Sequence, residues 1–186
     1  EPTTSRWETA VERGLFALAI TDHCEVNVFK EECYDRSIKQ SMFEIVKARE
    51  VFRSRLKVLV GVELGQATQD LSCAELVAKA GVDFIIGSLH NLRGRPDFAF
   101  LDYEEENVEP LLEEYFTQVL ELARWGKFDV LGHLTYPLRY IMGEQGIEVC
   151  LDRYQEQIDE IFKALIQNGC GIEVNTSTLR QPLGRT

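Results

Sequence analysis

What most constrains this chain is an alternation. Short apolar runs fall at residues 15–20, 58–62, 84–86, 130–131 and 172–174, and a segment of helical character precedes each, at 4–12, 35–52, 72–80, 108–125 and 151–168. In the second segment Met42, Ile45 and Val46 carry the period, the spacing of a helix with one apolar stripe. The runs are continuous, so they read as strands covered on both faces, the habit of parallel sheets. Helix and strand in alternation describe an α/β fold wound from β/α units. Ser5 and Ser72 are placed to cap helices, Pro110 falls in a first turn, and Gly14, Gly81 and Gly169 stop helices.

Bulk properties narrow what such a fold can do. The 186 residues suit one domain or most of one. A net charge of −11 leaves little basis for a basic face, so a nucleic-acid partner is not favoured. No apolar run approaches the roughly 20 residues needed to cross a bilayer. The first residues, Glu-Pro-Thr-Thr, lack the basic start and apolar core of a secretory signal. The five cysteines are odd in number and form no C-x-x-C pair. These features predict a cytoplasmic, reduced protein without a disulfide framework or zinc finger, and no membrane partner. Cys73, Cys150 and Cys170 read as small core or helix residues.

The polar residues beside the runs carry the chemistry. Thr21-Asp22-His23 follows the first run, Glu63 the second, Gly87-Ser88-Leu89-His90 the third and Gly132-His133 the fourth; Glu173, Asn175, Thr176 and Ser177 lie within and after the fifth. All three histidines of the chain therefore fall just past a strand's C-terminal end. In a β/α barrel those ends share the face that holds the active site. A lone histidine there is ordinarily a hydrogen-bonded structural residue. Three of them, with a carboxylate on a buried strand end that needs a partner, point to a metal site. No local H-x-H or H-E-x-x-H occurs, so the signal lies in the pattern over the whole chain. Residues 91–107 form a long loop of the kind that is often functional.

Taken in order, ITDH, GVELG, GSLHN, DVLGHL and GIEVNTS resemble the successive motifs of the PHP superfamily (polymerase and histidinol phosphatase), and most closely its histidinol-phosphatase branch. The resemblance spans nearly the whole chain. It implies a distorted TIM-like barrel of seven β/α units holding up to three divalent transition metals, manganese, iron or zinc. It also implies that His23 binds one outer metal, that Glu63 bridges two, and that His90 and His133 complete the site of the second of those. The family opens on a strand bearing H-x-H and closes on one bearing S-D-A-H. Neither motif is in this chain, which holds about five of the units and so reads as an internal piece of a barrel. Unpaired strand edges favour self-association, so a homo-oligomer is one expectation.

The implied activity is hydrolysis of a small phosphate monoester, histidinol phosphate first, as in histidine biosynthesis. Two alternatives stand beside it: a PHP phosphoesterase acting on nucleotides or oligonucleotides, and a non-catalytic PHP interaction module. Arg180 follows NTST directly and is the candidate for catalysis and for bidentate phosphate binding. Arg93 and Arg95, after His90, and Arg139, after the GH motif, are further candidates for substrate binding. Histidinol phosphatases often carry an aspartate soon after that second histidine; Thr135 stands there instead. Asp22 is a catalytic candidate as the orienter of an imidazole, or else a helix cap. Cys24 is expected to pack rather than ligate, and Glu173 and Asn175 to support the site by hydrogen bonds.

Overall fold

The computed structural model describes residues 3–32 and 34–176. Five helices, α1 (Thr3–Glu12), α2 (Tyr34–Phe52), α3 (Leu71–Ala78), α4 (Val108–Trp125) and α5 (Gln155–Asn168), alternate with five strands, β1 (Ala17–Glu25), β2 (Lys57–Gly65), β3 (Phe84–Ser88), β4 (Val130–Leu131) and β5 (Gly171–Ile172). The strands form one parallel sheet in the order β1-β2-β3-β4-β5. Sequential order with every neighbour parallel is the winding of a β/α barrel. Among the described residues the sheet is open, with β1 and β5 at its edges.

The helices cover one face of the sheet. Leu111, Leu112, Tyr115, Phe116, Val119, Leu122 and Ala123 make the buried stripe of α4, and they share a core with Val62 and Leu64 of β2, Ile85 of β3 and Ile161, Ala164 and Leu165 of α5. A second cluster joins Trp7 and Ala10 of α1 and Ile45 and Phe52 of α2 to Val58 and Val60. Side chains on a strand alternate between faces. Gly61, Glu63 and Gly65, which alternate with Val60, Val62 and Leu64 on β2, consequently face the barrel interior.

An aspartate at the foot of each of two strands helps to set the register. Asp83 accepts the Val60 N–H at 2.8 Å and Asp129 accepts the Ile85 N–H at 2.7 Å, each on the preceding strand. The backbone N–H groups of the same two aspartates donate to the carbonyls of Val60 and Ile85. Each carboxylate thus satisfies a strand-edge donor that would otherwise be orphaned.

Several boundaries differ from expectation. The first strand is not 15–20. Leu15 and Phe16 are exposed, and the strand runs on through Thr21-Asp22-His23-Cys24-Glu25. Ladder bonds depend on backbone geometry rather than side-chain polarity, so the pairing continues from Ala17 opposite Lys57 to Glu25 opposite Gly65. The fifth strand lies at Gly171–Ile172, one residue ahead of the apolar run. The helix at 72–80 is capped by Asp70, not Ser72: the Asp70 carboxylate accepts the N–H groups of Ser72 and Cys73. The first turn of the helix expected at 151–168 is a 3₁₀ turn, Leu151–Tyr154. Gly169 does end α5, in the left-handed conformation at φ +71°, which glycine adopts without steric cost. Cys24 and Cys73 are buried free thiols; Cys150, expected in core or helix, is exposed. Among the described residues no helix is long and apolar enough to cross a membrane.

Candidate metal centre

The strand register builds the site. Pairing of β1 with β2 sets His23 opposite Glu63 and Glu25 opposite Gly65. His90 lies two residues beyond β3 and His133 two beyond β4. All four predicted ligands therefore arrive at the C-terminal ends of neighbouring strands.

Three ligand atoms form a tight triangle. Glu63 Oε1 is 3.0 Å from His90 Nε2 and 3.0 Å from His133 Nε2, and the two nitrogens are 3.1 Å apart. The other oxygen, Glu63 Oε2, faces His23 Nε2 at 3.6 Å. The Glu63 carboxylate therefore addresses His90 and His133 with one oxygen and His23 with the other. His90 and His133 are nearly buried, with side chains 6% and 12% exposed, whereas His23 is 62% exposed. The pair His90–His133 lies deep and His23 sits at the rim.

The donor set suits a metal. Metal–nitrogen and metal–oxygen bonds of about 2.0–2.1 Å in tetrahedral geometry separate ligand atoms by roughly 3.3 Å, close to the edges of this triangle. Ligand atoms of His23, Glu63 and His90 also lie within 4.8 Å of one another. Imidazole nitrogen with carboxylate oxygen is the chemistry of zinc, iron and manganese sites. Carboxylates and imidazoles this close shift one another's ionisation at Glu63, His90 and His23. Burial works against ionisation of Glu63, but hydrogen bonds from His133 and His90 outweigh it and hold its pKa well below the usual carboxylate range. Burial likewise opposes the charged form of His90, yet Glu25 and Glu63 push its pKa up to about 10. His23 is raised too, first by its hydrogen bond to Glu25.

Glu25 went unnoticed in the sequence. Its carboxylate contacts Nδ1 of His90 at 3.0 and 3.2 Å and Nδ1 of His23 at 3.0 Å. Its pKa falls to about 2, because those two hydrogen bonds outweigh the opposing effect of burial. The available signal was its position two residues after His23, which on a strand means the same face. Reading the strand as ending at Ile20 concealed it.

Tyr136 was also missed. Its ring lies 5.0 Å from that of His90 and 4.8 Å from that of His133. Its hydroxyl donates to Asp97 at 3.0 Å and accepts from the Tyr140 hydroxyl at 3.1 Å. Asp97 belongs to the long loop at 91–107, which is anchored in the core by Leu92, Phe98 and Tyr103. The loop thereby ties down the ring that covers the two deep histidines. Glu173 accepts the backbone N–H of His133 at 2.8 Å and is itself contacted by Asn175.

The remaining candidates divide. Asp22 does not orient an imidazole. Its side chain accepts from Ser41 of α2 at 2.6 Å, because it points to the helix side of β1, as Ile20 does, while His23 points the other way. Cys24, on that same outer face, is buried in the core, and burial pushes its thiol up to about 12. Arg93 is paired with Glu121 of α4 and Arg95 with Glu106. Arg139 lies 5.6 Å from the Tyr136 ring centroid, close to the site. Arg180 lies outside the described residues.

A PHP-domain family model matches residues 4–177. The chain belongs to the PHP family. It is 28% identical over 174 residues to a probable histidinol-phosphatase of Clostridium acetobutylicum, a match covering 92% of this chain and 66% of that protein. It is 28% identical over 141 residues to a probable histidinol-phosphatase of Deinococcus radiodurans, covering 72% and 54% respectively. This PHP chain thus spans between about half and two thirds of the length of the curated relatives it matches. Its fold is similar to the crystal structure of a histidinol phosphate phosphatase from Lactococcus lactis complexed with zinc, L-histidinol and phosphate. The TM-score is 0.75 at 20% identity, over 98% of this chain and 70% of that one.

Proposed function

We propose that this PHP chain carries the metal site of a phosphatase that hydrolyses a small phosphate monoester, with histidinol phosphate as the substrate. The observation that carries the reading is the triangle of Glu63 Oε1, His90 Nε2 and His133 Nε2. Two kinds of likeness favour the substrate: the names of the curated relatives, and the zinc, L-histidinol and phosphate held by the structural neighbour.

In this reading His90 and His133 offer their Nε2 lone pairs to one metal. Glu63 would offer Oε1 beside those two nitrogens and Oε2 beside His23. Divalent cations held by these residues would supply Lewis acidity, lowering the pKa of a water and neutralising phosphoryl charge. Tyr136 shields the two deep histidines from solvent, and Asp97 fixes its hydroxyl. Arg139 is the described residue we assign to hold phosphate oxygens, with Arg180 as a second holder. Both guanidinium groups can grip phosphate through paired N–H donors. Arg93 and Arg95 are engaged with Glu121 and Glu106 instead.

The test is phosphate release from L-histidinol phosphate by the purified chain with added zinc, manganese or iron, beside nucleoside monophosphates. Metal-dependent turnover of histidinol phosphate, lost in His90→Ala and His133→Ala, is expected. Activity that survives both substitutions, or a preference for the nucleotides, would sink the reading.

A further inference from the structure

We propose that Glu25 is the positioning residue of the centre, a single carboxylate that holds Nδ1 of both His23 and His90 and so turns both Nε2 atoms toward Glu63. The inference rests on the reading of His23 and His90 as metal ligands, and adds how two of them are aimed. Glu25 Oε1 is 3.0 Å from His23 Nδ1 and 3.0 Å from His90 Nδ1, and Oε2 is 3.2 Å from the latter. The opposite ring nitrogens then face Glu63, His23 Nε2 at 3.6 Å and His90 Nε2 at 3.0 Å. A neutral imidazole carries one N–H. With Nδ1–H donated to Glu25, the lone pair is left on Nε2, the atom a metal takes. A carboxylate behind a ligating histidine fixes both tautomer and ring orientation. Here one carboxylate does this for two rings, one on β1 and one just beyond β3.

The backbone opposite makes room for it. Gly65 is the register partner of Glu25, and a Cβ built there would stand 1.8 Å from Glu25 Oε2. Only glycine at position 65 leaves the carboxylate where it reaches both rings. His133 stands apart from this arrangement. Its Nδ1 is buried without a hydrogen-bond partner among the described residues, and its ring is held instead by the Tyr136 contact and the Glu173 bond to its backbone.

Long-range ¹H–¹⁵N correlation spectra of the imidazoles test this, recorded on the metal-free and the zinc-loaded chain. In the native sequence the Nδ1–H protons of His23 and His90 should both be observed as hydrogen-bonded, slowly exchanging signals. Glu25→Ala should remove both together while His133 keeps its own pattern, and zinc affinity should fall about 10–100-fold, as for loss of an outer partner. Glu25→Gln keeps the shape and one acceptor oxygen, so at least one Nδ1–H signal should return and part of the affinity with it. Persistence of both signals in Glu25→Ala, or no recovery in a folded Glu25→Gln, overturns the proposal. Failure of the native chain to bind zinc would instead overturn the phosphatase reading, and the metal-free spectra would still decide the role of Glu25.

Discussion

Replacing Gly65 with alanine turns the geometry of the centre into a sign. Gly65 is not left-handed, so alanine there should by default stabilise the fold by about 0.4–1 kcal/mol, through a less flexible unfolded chain. The site predicts the opposite. The new Cβ would lie 1.8 Å from Glu25 Oε2 and 2.6 Å from Cδ. To reach an ordinary C···O separation of about 3.3 Å the carboxylate has to withdraw by roughly 1.5 Å. The bonds to His23 and His90 start at 3.0 Å, so a withdrawal of that size breaks both. Hydrogen bonds to charged groups contribute about 1.5–3 kcal/mol each, and the half that faces the exposed His23 is partly replaced by water. A net destabilisation of about 2–4 kcal/mol follows, a large share of the roughly 5–15 kcal/mol of a typical domain. Zinc affinity should drop about 10–100-fold as the ligand rings lose their orienter. Urea unfolding of the metal-free chain and competition titration with a zinc chelator measure the two effects. A Gly65→Ala chain as stable as the native one, with unchanged zinc affinity, would refute the reasoning.

Other perturbations separate the parts of the site. His90→Ala and His133→Ala each remove a corner of the triangle, and zinc affinity measured by the same titration should fall by more than the roughly 10–100-fold typical of an outer partner. Asp22→Ala should leave zinc affinity unchanged and cost no more than about 1 kcal/mol in urea unfolding, since the bond it loses, from Ser41, lies at the surface. The metal-free chain should be most stable between about pH 4.5 and 6.5. The contribution of Glu25, whose pKa falls from 4.5 to about 2, is lost as the pH drops through that interval. That of His90, raised from 6.5 to about 10, is full below 6.5 and lost as the pH climbs toward 10. Urea midpoints across pH check this. Zinc affinity should instead rise with pH through the same alkaline range, because the metal needs the unprotonated ring.

The architecture was legible because its signals are local and repeated. Apolar runs separated by helical segments dictate a parallel sheet, and histidines after three of those runs must meet if the strand ends share a face. What escaped lay in the alternation of faces along a single strand. Taking 15–20 as the strand hid the fact that Asp22 continues the outer row of Leu18 and Ile20, whereas His23 and Glu25 continue the inner one. Asp22 and Glu25 are three residues apart, an odd number, so they lie on opposite faces of β1. The ion pairs of the arginines at 93 and 95 were hidden for a different reason. Their partners, Glu121 and Glu106, are distant in sequence, and no spacing rule shows which surface carboxylate a long side chain will reach. Tyr136 and Asp97 were hidden likewise, because their meeting depends on the conformation of the loop at 91–107.

The central claim is that Glu63, His90 and His133 hold a metal, and anomalous diffraction at the zinc edge from crystals of the zinc-loaded chain tests it most directly. The account predicts a peak bonded at about 2.0–2.2 Å to Glu63 Oε1, His90 Nε2 and His133 Nε2 together. A zinc-loaded crystal with no peak between those three atoms, or with its metal bound elsewhere, would contradict it.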